Sequence, residues 1–158
     1  MELRSPAFED GGLIPKQYTE DGNNFSPPLR WDGVPAGAAE LALIVDDPDA
    51  PRPKPFVHWV VYKIPPDAVG LPQGVPRDEE LRNPLGAVQG LNDFARYSLG
   101  YRGPAPPKGH GVHRYHFHLY ALDQPLTLGP GVEKDALLRA MQGHILDEAE
   151  LIGTYQRA

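Results

Sequence analysis

The 158-residue chain contains no cysteine. That excludes disulfides, thiolate nucleophiles and every zinc site built on cysteine. It also fits a reducing compartment. No apolar run approaches the roughly 20 residues of a membrane-spanning helix. The N-terminal stretch MELRSPAFEDGGLIP has no basic start followed by an apolar run, so it does not read as a signal peptide. The expectation is a soluble, cytoplasmic protein with no stable membrane insertion. Basic charge is also short: 15 Lys and Arg stand against 21 Asp and Glu, for a net charge of -6. Such a surface repels phosphate backbones and anionic headgroups at long range, which excludes nucleic acid as a general partner. One cleft can still be locally positive. No basic amphipathic helix is visible, so docking on an anionic bilayer is not expected.

Proline and glycine are abundant instead, at 19 and 17 residues. They call for many turns, long ordered loops and little continuous helix. The apolar share of 41% is ordinary for a globular chain and argues against disorder. The length suits one domain spanning residues 1–158. Up to about Gly37, breakers such as PKQYTEDGNN and DGVPAG leave room only for short strands. ELALIVDD, Glu40 to Asp47, is an apolar run of strand length ended by PDAP. APRPKP must then be an exposed loop, because proline lacks the ladder donor. FVHWVVYKIPP, Phe56 to Pro66, is β-branched and aromatic and is stopped by two prolines. Asp67 to Tyr101 reads as a long excursion with a short helix near Glu79 to Leu81. GYRGPAPPKGHG is a Gly/Pro loop, and VHRYHFHLYALD, Val112 to Asp123, is a second strong strand. EKDALLRAM is the best helix, with Leu137, Ala140 and Met141 at helical spacing and Gly143 beyond its end. The tail ILDEAELIGTY reads as a helix turn leading into a last strand. The fold class is mainly β with a few short helices: a sandwich or central antiparallel sheet with a C-terminal helix.

Strand alternation sorts the histidines. His113 and Tyr115 share a face with Phe117, Leu119 and Ala121, which describes a core face whose open end forms a pocket. Arg114, His116, His118 and Tyr120 share the other, which reads as polar and half-exposed. His116 and His118 have the spacing of a strand-borne metal pair. A metal needs a third and fourth ligand, and no local carboxylate offers itself, so they read as surface or edge residues and no metal is assigned. His58 lies inside an apolar strand, where a histidine is more often a satisfied core residue. DDPDAP, taken alone, is a strand-ending turn.

These residues nevertheless converge on a family. The chain resembles the phosphatidylethanolamine-binding proteins, also called Raf kinase inhibitor-like proteins, and most closely their bacterial branch. The resemblance rests on DPDAP at Asp47 to Pro51 with HW at His58, and on GYRGPAPPKGHGVHRY from Gly100 to Tyr115. IPKQYTEDGNNFSPPLRW, GLNDF, LYALD and GHILDEAELIGTY extend it over essentially the whole chain. It implies a small anion pocket formed by Asp47, His58, His113 and Tyr115, with Ala105 and Pro106 in its wall and Asp49 at or near the rim. It implies phosphate or a phosphorylated small ligand, no cofactor, a protein partner in some members, and a homodimer in the bacterial branch. It gives His116 and His118 no role.

The chemistry is consistent with that expectation. A phosphate needs donors, which histidine, tyrosine and the N–H groups of a Gly/Pro loop supply. Asp47 could fix a histidine ring and favour its charged form, or accept a proton from the ligand; both stay open. Three functions follow. The first is a non-catalytic binding protein whose occupancy regulates a partner. The second is a small hydrolase using the Asp/His pair, metal-free or metal-assisted, although none of Ser5, Ser26 and Ser98 sits in a nucleophile elbow. The third is a protease or kinase inhibitor module that does not use the pocket.

Overall fold

A computed structural model describes residues 1–158. In chain order the elements are β1 (Glu2–Arg4), a 3-10 turn at Lys16–Tyr18, β2 (Leu29–Asp32), β3 (Glu40–Asp47) and β4 (Phe56–Ile64). Then come β5 (Gly70–Leu71), β6 (Glu80–Arg82), β7 (Leu85–Gln89), β8 (Leu91–Asn92) and β9 (Ser98–Leu99). β10 (His113–Leu122), α1 (Lys134–Met141) and β11 (Ile145–Tyr155) complete the chain. The central sheet has the order β11-β10-β3-β4-β7-β6 and is antiparallel throughout. A smaller sheet, β1-β2-β5, packs over one of its faces, and β8 pairs with β9.

The core has two layers because both faces of the central sheet are covered. On one side Leu43, Val45, Trp59, Val61, Phe117 and Leu119 pack with Leu3, Leu29 and Trp31 of the small sheet. On the other, Ala42, Ile44, Val60, Tyr62 and Leu122 pack with Leu137 and Met141 of α1. This is why ELALIVDD shows no alternation: β3 is buried at every position. β10 departs from the sequence expectation at one end. Its outer face is open at Arg114, His116 and His118, but Tyr120 is buried with the α1 cluster.

Two local expectations are overturned. The segment near Glu79 to Leu81 is strand, not helix: Glu80 pairs with Val88 and Arg82 with Leu85. Leu81 alone points inward, and three residues cannot offset the cost of nucleating a helix. The tail contains no helix turn. Ile145–Tyr155 is one strand paired along β10, and that cross-strand pairing overrides the helix propensity of LDEAEL. Its outward Glu148 and Glu150 protect an exposed sheet edge.

Candidate functional site

The site forms where β3, β4 and β10 end together. His116 of β10 pairs with Asp46 of β3, so the next antiparallel step sets Tyr115 beside Asp47. Alternation keeps His113 and Tyr115 on the Phe117 side. On the other flank, Trp59 pairs with Val45 and Val57 with Asp46, which leaves His58 as the extra residue of a β-bulge. A bulge re-aims a side chain, here His58 at the strand ends. Asp47, His58, Ala105, Pro106, His113 and Tyr115 line one half-open cavity of about 250 Å³ with Pro107, Phe56 and Phe94.

Asp47, His113 and His58 are each held by a defined partner. Asp47 is buried, accepting the backbone N–H of Asp49 at 2.8 Å and the Nδ1–H of His113 at 2.6 Å. That fixes the His113 ring and leaves its Nε2 toward His110, whose Nδ1 lies 2.6 Å away. A neutral His113 accepts there from His110 Nδ1–H; an added proton reverses the direction. Gly109 and Gly111, with φ of +74° and +94°, adopt the left-handed backbone that returns His110 over His113.

His58 donates from Nδ1 to the Arg102 carbonyl at 2.7 Å. Burial pushes its pKa below the ordinary value, with the Arg102 carbonyl and the Asp47 charge opposing in part. The ring is therefore neutral at neutral pH and its Nε2 is an acceptor, whereas the sequence suggested a donor to the anion. Tyr115 supplies a donor. Its hydroxyl is held protonated by burial and by the charge of Asp47, which push its pKa up. The side chain is buried and faces the cavity.

Asp49 does not line the cavity. Both its oxygens take Arg114 at 3.0 Å, and one also takes the Arg114 backbone N–H at 2.8 Å. The hydrogen bond from Arg114 holds its carboxyl at about 2. Asp49 thus braces the DPDAP loop against the start of β10. Two polar residues at the site are not among those the sequence pointed to. Arg52 reaches the cavity from the APRPKP loop, its guanidinium 5.3 Å from the Phe56 ring centroid, and brings the one full positive charge. His110 caps His113. A cation just after DPDAP and a histidine framed by two glycines were the available signals.

The other face of β10 also needs a correction. Carboxylates do reach His116 and His118, from the neighbouring strands: Glu150 on β11 and Asp46 on β3. They were invisible as local sequence because they lie 34 and 72 residues away.

Fold and site together define a class: a β-sandwich with a small binding cavity at one end of its central sheet. The chain belongs to the phosphatidylethanolamine-binding protein family, whose sequence model matches residues 4–156. A UPF0098 protein of Methanothermobacter thermautotrophicus is 57% identical over 157 residues, 99% of each chain. Among solved structures, Escherichia coli YbcL, described as a member of the mammalian family, is similar with a TM-score of 0.90 at 31% identity, covering 99% of this chain and 98% of that one. A homologue from Chlamydia trachomatis gives 0.87 at 43% identity, over 99% and 97%. No helix is long and apolar enough to cross a membrane.

Proposed function

We propose that the chain is a non-catalytic binding protein whose cavity takes phosphate or a phosphorylated headgroup or small ligand, and that occupancy is read by a partner protein. One observation carries this reading. The buried Asp47–His113 pair, capped by the exposed His110, meets the Tyr115 hydroxyl and the Arg52 cation at one small cavity. Tyr115 and Arg52 would donate to the phosphoryl oxygens, and His113 would do so from Nε2 once it carries a second proton and His110 has moved aside. His58, an acceptor, suits a P–OH or a headgroup ammonium. The pocket thus favours a monoester that carries both donor and acceptor groups.

The hydrolase reading has one feature in its favour, since Asp47 orients His113 as a general base is oriented. None of the three serines lines the cavity, so such a reaction would have to activate water directly.

The test is an NMR titration of the histidine side chains with inorganic phosphate and phosphoethanolamine, alongside His113→Ala. Selective shifts at His58, His110 and His113 that vanish in the variant are expected. Shifts elsewhere, or none, would overturn the reading. A homodimer belongs to the same proposal, and sedimentation at twice the 17.4 kDa chain mass checks it.

A further inference from the structure

We propose that His116, His118 and Glu150, on the opposite side of the central sheet from the cavity, form a binding site for a divalent transition metal. The strand register builds it. Glu150 of β11 pairs with His118 of β10, and His116 is one alternation away on the same face. The two imidazoles stack with centroids 5.7 Å apart and planes 23° apart. Both present Nδ1 to one oxygen, Glu150 Oε2, at 3.1 Å from His116 and 3.3 Å from His118. The three ligand atoms lie within 4.8 Å of one another. A tetrahedral site with bonds of roughly 2.0–2.1 Å has ligand-to-ligand edges of about 3.3 Å. Both His–Glu edges are already at that length, so a small rotation of the rings and carboxylate opens room for the ion.

A second, independent feature lies behind the ligands. His118 Nε2 is 3.3 Å from Asp46 Oδ1, and Lys134 Nζ holds the other Asp46 oxygen at 2.6 Å. Asp46 is buried, so this carboxylate is fixed in place. Accepting the Nε2–H of His118 selects the tautomer whose Nδ1 lone pair is free for a metal. This is the carboxylate–histidine support that metal-bound imidazoles use. His116 lacks it: its Nε2 is buried without a hydrogen-bond partner. With the metal on Nδ1, that nitrogen carries an unpaired N–H, which weakens the site relative to a structural zinc centre.

Two imidazoles and one carboxylate, with no thiolate, select Zn²⁺, Ni²⁺ or Cu²⁺ over Mg²⁺ and Ca²⁺. Three protein ligands leave a position for water or a further ligand. The neighbouring carboxylates Asp46 and Asp47 serve opposite faces of β3, so this site and the cavity are chemically separate.

The full chain is titrated with Zn²⁺ by calorimetry and with Co²⁺ by visible absorption, with histidine NMR as the locator. The expected result is one site of micromolar affinity, a Co²⁺ d–d band, and perturbation of His116 and His118 with His58 and His113 undisturbed. Glu150→Ala removes an exposed side chain and leaves the core intact, so its expected loss of at least tenfold in affinity is free of folding effects. Asp46→Asn weakens binding by about 10- to 100-fold, as loss of a supporting carboxylate does. Absence of saturable binding, binding unchanged in Glu150→Ala, or perturbation centred on His110 and His113 would each overturn the assignment.

Discussion

His58 shows how burial fixes the chemistry of one side chain. In the unfolded chain its ring takes a proton near pH 6.5. In the fold, burial holds the pKa lower. Between those two values the unfolded state binds more protons, so stability falls as pH drops below about 6.5. Urea unfolding between pH 7 and 5 should show that decline, and His58→Gln should flatten it; equal slopes would assign the decline to other groups. Tyr115 has the complementary role. Its donor points into the cavity, and a hydrogen bond to a charged group contributes about 1.5–3 kcal/mol. Tyr115→Phe should therefore weaken phosphate binding roughly tenfold or more while leaving the fold unchanged. Calorimetry that shows no loss would make Tyr115 a wall residue only.

At the level of elements, the two layers of the core separate stability from binding. Leu137 and Met141 of α1 are fully buried against the central sheet, on the side away from the cavity. Leu137→Ala should cost about 2–5 kcal/mol, depending on how far α1 settles into the space left. Denaturant melts would show a lower midpoint with an unchanged slope. Phosphate binding should survive below the transition, and its loss there would mean that α1 also positions the site. The DPDAP loop depends on a different device. Asp47 caps its start and Asp49 clamps it to Arg114, so its prolines need no ladder donors.

For the whole molecule, a net charge of -6 opposes anionic surfaces, while the proposed anion site rests on Arg52, Tyr115 and His113 at one cavity. Free phosphoethanolamine should therefore perturb the cavity histidines while the protein stays in the supernatant with vesicles rich in anionic lipid. Cosedimentation at physiological salt would show instead that local charge outweighs the global balance.

The amino-acid sequence alone was enough to specify β3, β4 and β10, the helix, and the placement of His113 and Tyr115 on the core face. Their signals are local: apolar runs, alternation and helical spacing act over a few residues, and ELALIVDD or FVHWVVYKI has no other way to bury its side chains. The family motifs also carried Asp47 in DPDAP, His58 in HW, and Ala105, Pro106, His113 and Tyr115 in GYRGPAPPKGHGVHRY, since each motif is contiguous. The tertiary structure alone decided the rest. β11 became a full strand because β10 offered it a partner along its whole length. His58 became neutral because burial removed water from its ring. Arg52 and His110 joined the site because loops folded back on it. The carboxylates beside His116 and His118 came from two other strands. Sheet register joins residues far apart in the chain, and no local pattern records which strand will lie beside which.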